Sequence, residues 1–145
     1  MTAVPIPIEK CMSTVLFLAA PKDTIADASR RMKLHGVRHM PVVDGRRIVG
    51  ILSEKDILLI ESLRNSDPTR VLVEQVMTQD LYTADPLDSL ARVAHEMDER
   101  RIGSAVVARD GQLLGIFTTT DALRVLAVVM RDSDLVLPTE LEQDL

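Results

Sequence analysis

Gly115-Ile116-Phe117-Thr118-Thr119-Thr120-Asp121 is a rewriting of Gly50-Ile51-Leu52-Ser53-Glu54-Lys55-Asp56, 65 positions earlier. The match extends outward from this junction. Ile8-Glu9-Lys10-Cys11-Met12 returns as Val73-Glu74-Gln75-Val76-Met77, and residues 8–59 laid on 73–124 without gaps agree at 13 of 52 positions. The shared residues include Gly, Pro and Asp, which carry backbone geometry rather than bulk. Two copies are too few for a solenoid. They imply two similar units packed about a pseudo-two-fold axis, with facing clefts.

Each copy reads alike. A short extended piece (residues 15–19 and 80–84) leads to Pro21-Lys22-Asp23-Thr24 or Pro86-Leu87-Asp88-Ser89, a turn ending in an N-cap residue. A helix follows, with Ile25, Ala28 and Met32 on its apolar face in the first copy and Leu90, Val93, Ala94 and Met97 in the second. Two strands come next, 39–43 with 47–52 and 104–108 with 113–117, around Asp44-Gly45 and Asp110-Gly111. Asp-Gly between apolar runs is a hairpin signal. The two pairs lie one residue out of register, so the turns should differ. A second helix starts near Glu54 or Thr119.

The expected organisation is a repeat over 8–63, a polar linker over 64–72, a repeat over 73–130 and an acidic tail over 131–145. The fold class is mixed α+β, each repeat running β-α-β-β-α. Neither unit covers its helices alone, and burying them against each other is the expected solution.

A chain of 145 residues is about one ordinary domain. Its three aromatics, Phe17, Tyr82 and Phe117, leave the core to Val, Leu, Ile, Ala and Met. A net charge of −5 supplies no general attraction to nucleic acid. Cys11, the single cysteine, excludes an intrachain disulfide and stands where the other copy has Val76, which reads as a small core hydrophobe. No apolar run reaches the roughly 20 residues of a membrane span, and the first residues lack the pattern of a signal peptide. A soluble, cytoplasmic protein with no membrane contact is expected.

The chemistry concentrates at the repeated junction. Gly115 in a strand suggests a close approach of backbone or ligand. Three hydroxyls then stand where strand passes into helix, where free N–H groups and the positive helix end favour phosphate. Asp121, one turn on, repels phosphate but can accept from the two hydroxyls of a ribose. Gly50, Ser53 and Asp56 repeat the arrangement. The structural alternative is a helix cap made by Thr118 or Thr119, with Asp121 complementing the helix dipole. The strand opening Arg38-His39-Met40-Pro41 supplies the second element. A guanidinium beside an imidazole suits phosphate, and Pro41 removes a ladder donor, which places the strand at an edge or a cleft.

Together, the Val76-Met77-Thr78 start, the His39-Met40-Pro41-Val42-Val43-Asp44 strand and the Gly115–Asp121 junction resemble the CBS domain, the tandem module first named from cystathionine β-synthase. The resemblance spans roughly 8–128 and looks like a stand-alone CBS pair. It implies adenine nucleotides in clefts between the repeats, with the Asp of one repeat on the ribose and the strand start of the other on base and phosphates. One site would join Thr118, Thr120 and Asp121 to Arg38, His39, Met40 and Pro41. The other would join Ser53 and Asp56 to Gly103, Ser104 and Ala105. Because the second lacks the basic pair and the Pro, the Asp121 site is expected to bind phosphate better. Lys55 could partly compensate at the other site, with Arg100 and Arg101 just upstream.

His35, His39 and His95 are too scattered for a metal site, and no phosphate loop, nucleophile elbow or ligand cluster is present. The expected protein is a binding module, not an enzyme. It would sense AMP, ADP or ATP, hold no tightly bound cofactor, dimerise through its helices and signal to an unidentified target protein. The alternatives are a ligand-free interaction module, an S-adenosylmethionine binder and a nucleic-acid binder.

Overall fold

Thr24 and Ser89 start the first long helix of each repeat as the sequence suggests. Each hydroxyl accepts a hydrogen bond from the backbone N–H three residues on, Asp27 or Arg92, at 3.1 Å. This satisfies one of the donors a helix start leaves free. The computed structural model describes residues 4–63 and 65–131. The expected acidic tail lies outside the described residues apart from Arg131.

In chain order, a 3-10 turn at Ile8–Lys10 precedes α1 (Ile25–His35), β1 (His39–Asp44), β2 (Arg47–Ser53), α2 (Glu54–Glu61) and the short α3 (Val73–Val76). Then come β3 (Thr83–Ala84), α4 (Leu90–Arg100), β4 (Ser104–Arg109), β5 (Gln112–Thr118) and α5 (Thr119–Met130). The architecture is mixed α+β, with helices on two small sheets. β1 and β2 form an antiparallel pair. β4 and β5 form another, extended on the far side of β4 by parallel β3. The leading strand of the first repeat shrinks to a single parallel bridge between Ala19 and Val42. Both hairpins carry a bulge at the same place, Val42/Val43 and Val107/Ala108. Their turns do differ. Asp110 and Gly111 are both left-handed (φ 53° and 76°), as a type I′ turn requires, whereas the first turn uses positive φ only at Gly45.

The apolar faces sort as expected, apart from Ala94, which is exposed. Ile25, Ala28 and Met32 join the first core, and Val93 and Met97 the second. A result not anticipated concerns the start of each repeat. Ile8, Cys11 and Met12 pack into the second repeat's core, and Val73, Val76 and Met77 into the first repeat's. Backbone hydrogen bonds fix the exchange: Ser13 pairs both ways with Ile116, and Thr78 both ways with Ile51. This explains the strand glycines. A Cβ on Gly115 would lie 2.5 Å from Met12 Sδ and 2.9 Å from the Ser13 carbonyl oxygen. One on Gly50 would meet Met77 and Thr78 at 2.6 and 2.9 Å. The close approach is by backbone and methionine of the exchanged segment.

The expectation that the repeats bury their helices against each other is corrected. A third cluster of Ile51, Val106 and Ile116, flanked by Leu16 and Leu81, joins the repeats through their sheets. α2 and α5 instead leave Leu58, Leu59, Leu123 and Leu126 more than half exposed. The bulged, short sheets present apolar residues on both faces, so one face covers the repeat's own helix and the other its partner sheet.

Candidate functional site

The strand-to-helix junctions fold as capping boxes. Thr118 starts α5. Its hydroxyl accepts from Asp121 N–H at 3.3 Å, while Asp121 Oδ2 accepts from Thr118 N–H at 2.9 Å. Ser53 and Asp56 do the same at the start of α2, at 3.1 and 3.0 Å. One more donor at each start is taken by a strand-opening carbonyl: Thr119 N–H by Gly103 at 3.1 Å and Glu54 N–H by Arg38 at 2.8 Å. The phosphate cradle read from the hydroxyl-rich turn is therefore largely closed by the protein's own groups. Charge for an anion must come from side chains.

Two clefts flank these junctions. The Asp121 cleft, about 280 Å³, is lined by Thr118, Thr120 and Asp121 together with Arg38, His39 and Pro41. The Asp56 cleft, about 480 Å³, brings Ser53 and Asp56 to Gly103 and Ser104. Both juxtapositions cross between repeats. Met40 and Ala105 do not line either cleft. They are fully buried, their side chains facing the cores on the opposite side of β1 and β4.

The expectation that the Asp56 cleft lacks the Arg38–His39 pair is also corrected, while Lys55 stands where it was expected to compensate. Arg38 and His39 border both clefts, and Lys55 and Arg101 line the Asp56 cleft. The cause is the pseudo-symmetry. The strand openings 38–39 and 103–104 meet, and a Cβ on Gly103 would stand 3.3 Å from His39 Nε2. Glycine at 103 leaves the room that the imidazole occupies. Burial pushes the His39 imidazole below its ordinary value. Asp56 pulls it back, Arg38 adds to the depression, and Glu54 opposes it. His39 therefore offers a donor and an acceptor at neutral pH rather than a second positive charge. Arg38 is exposed and lies 3.9 Å from Glu54.

Arg124 was not singled out by motif. It lines the Asp121 cleft and reaches Asp121 Oδ1 at 3.1 Å. Its spacing, one turn beyond Asp121, is the signal that could have found it. The aromatics were a second omission. Phe17 and Tyr82 occupy equivalent repeat positions, Phe17 lining the Asp121 cleft and Tyr82 the Asp56 cleft. Each is backed by a residue from the end of its own repeat's first helix. His35 stacks on Phe17 at 3.9 Å, and the Arg100 guanidinium lies 4.6 Å over the Tyr82 ring. Arg101 ends α4 in the left-handed region at φ 55°, where the first repeat has Gly36 at 65°. Among the described residues no group of His, Cys, Asp or Glu is placed to hold a metal, and no helix is long and apolar enough to cross a membrane.

Comparison with known proteins decides the family. The sequence profile of the CBS domain matches residues 8–62 and 73–128. The chain belongs to the CBS-domain family. Inosine-5′-monophosphate dehydrogenase of Korarchaeum cryptofilum is 31% identical over 103 residues, 70% of this chain but 20% of that enzyme. The chain thus spans a fifth of that relative's length. An uncharacterized conserved protein from Pyrococcus horikoshii superposes with a TM-score of 0.75 at 28% identity, over 94% of this chain and all of its own. The CBS domain pair of protein MJ0100, solved with 5′-methylthioadenosine and S-adenosyl-L-methionine, has a TM-score of 0.76 at 23% identity, over 87% of this chain and 99% of its own. That last likeness shows the fold.

Proposed function

We propose that this CBS pair is a regulatory module that binds an adenine nucleotide (AMP, ADP or ATP) in its clefts and passes occupancy to a partner protein as a change of shape. The observation that carries the reading is the crossing of repeats at each cleft. A capped Asp from one repeat faces the strand opening of the other, so one ligand contacts both and their relative placement can register its presence. Asp56 and Asp121 accept from the ribose hydroxyls, while Arg38, Lys55 and Arg101 are the side chains available to phosphate. Phe17 and Tyr82 offer ring faces to the base. The adenosyl ligands of the MJ0100 pair support the ligand class.

The role is binding rather than catalysis. Asp121 is 3% exposed and already tied into the helix cap, which suits a fixed acceptor and not a proton-transferring base. The exposed leucines of α2 and α5 support a homodimer through these helices. Signalling requires the ligand to bind two conformations unequally, since equal affinity shifts nothing.

Calorimetric titration with AMP, ADP, ATP and S-adenosylmethionine tests the reading. Asp56→Ala is expected to weaken nucleotide binding by about 1–3 kcal/mol, the range for losing hydrogen bonds to a charged group. Asp121→Asn keeps the cap's acceptor oxygen and tests the other cleft with less risk to folding. Heat signals and thermal shifts absent for all four ligands would instead support an interaction module with empty clefts.

A further inference from the structure

We propose that Ser13 and Arg124 form a latch on the Asp121 carboxylate, so that the Asp56 cleft fills first and the Asp121 cleft takes an adenosyl ligand only by loosening the N-terminal segment. The proposal rests on the adenosine-binding reading above. It reverses the order that the Arg38–His39 pair suggests from sequence.

A carboxylate offers about four lone-pair sites. At Asp121 four donors already use them. Oδ2 accepts from Thr118 N–H at 2.9 Å and the Thr118 hydroxyl at 3.2 Å. Oδ1 accepts from the Ser13 hydroxyl at 2.9 Å and Arg124 Nη1 at 3.1 Å. The side chain is 4% exposed. A ribose brings two further O–H donors, so it can reach Asp121 only by displacing others. The Thr118 contacts belong to the helix cap. Ser13 and the largely exposed Arg124 are the displaceable pair.

The other repeat supplies the control. Where the second repeat has Arg124 the first has Leu59, and where the first has Ser13 the second has Thr78. Among the described residues neither Leu59 nor Thr78 donates to Asp56, and Asp56 Oδ2 accepts only from Ser53 N–H. Its Oδ1 remains for a ligand in the larger cleft.

Displacing Ser13 has a structural consequence. Its backbone pairs both ways with Ile116, at 2.8 and 3.0 Å, Met12 covers Gly115, and Ile8 is fully buried in the second core. The hydroxyl is one of the ties that hold this exchanged segment on the second repeat. A ligand on Asp121 Oδ1 removes that tie, which couples occupancy to the residues leading into the first repeat.

Cys11, the single cysteine, lies in this segment and reports on it. Burial, and then the Asp121 charge, push its thiol up and keep its resting reactivity low. On the full chain we expect AMP calorimetry to resolve two steps, with Asp56→Ala weakening the tighter. Ser13→Ala and Arg124→Ala should each tighten the weaker step about three- to tenfold. Iodoacetamide should alkylate Cys11 faster in Ser13→Ala without nucleotide, and faster in the wild type once AMP is added. A weaker step that is unchanged or weakened in both variants overturns the latch, as does a Cys11 rate that Ser13→Ala leaves unmoved. If AMP binds no variant, the adenosine reading fails, while the nucleotide-free alkylation comparison still decides whether Ser13 ties the segment down.

Discussion

The Asp56 and Asp121 clefts grow from the same junction, yet they present different carboxylates to a ligand. In both, the hydroxyl and the Asp three residues on close a capping box. The difference comes from residues that the junction does not contain. Ser13 and Arg124 fill the remaining oxygen of Asp121, whereas Thr78 and Leu59 leave that of Asp56 alone. The lesson is that a repeated motif sets helix geometry reliably, because capping is local. Ligand access depends on what the rest of the fold brings to the same atoms.

The largest expected effect tests the segment exchange on which that difference rests. Ile8→Ala should destabilise the protein by about 2–5 kcal/mol, the usual cost of truncating a fully buried Ile. Hydrogen exchange should quicken in β4 and β5 more than in β1 and β2, because Ile8 packs in the second core. Val73→Ala should show the opposite pattern with a smaller loss. Equal quickening everywhere would break the comparison.

Next in size, Gly115→Ala and Gly50→Ala place a methyl group against a methionine and a backbone oxygen. Urea unfolding should register a loss of about 1–3 kcal/mol for each, the range for overpacking. An unchanged midpoint would mean that the exchanged segments yield easily.

The helix ends give a smaller, signed pair. Gly36 and Arg101 both sit in the left-handed region, and a Cβ on Gly36 meets nothing within 4 Å. Gly36→Ala should therefore cost, and Arg101→Gly gain, roughly 1 kcal/mol from backbone conformation alone. If Arg101 serves the Asp56 cleft, the stabilised Arg101→Gly protein should bind nucleotide more weakly. Stability gained with affinity unchanged would confine Arg101 to the helix end.

The smallest effect is in pH. His39 titrates lower in the folded protein than in the unfolded chain. The unfolded chain therefore binds more protons as pH falls below about 6.5. Stability from this group is complete above that value and is lost as pH falls through the folded value. Thermal unfolding of His39→Asn should flatten this acid-side slope. A slope unaltered by the substitution would place the dependence on the carboxylates.

Much of the fold was legible because its causes are local. Thr24 and Ser89 cap helices wherever they stand, Asp-Gly turns a hairpin, and the spacing of Ile25, Ala28 and Met32 marks a buried face. The pairing of Asp121 with Arg38 across repeats, and of Asp56 with Ser104, followed from the family resemblance and not from spacing. The placement of Met40 and Ala105 in the cores could have been read from strand alternation, since each lies one residue beyond a cleft-lining neighbour. Arg124, Phe17 and Tyr82 needed only the repeat overlay and helix periodicity applied at the site.

By itself the sequence determined two copies of one unit, their caps, turns and apolar faces, and the residue types at each junction. Those are set by contacts between near neighbours in the chain. Only the tertiary structure decided that each copy's first residues complete the other copy's core, that the repeats join through sheets and leave α2 and α5 apolar, and that Arg38 and His39 stand between both clefts. It also decided that one Asp is saturated and the other open, because the donors that make the difference, Ser13 above all, arrive from the far end of the chain.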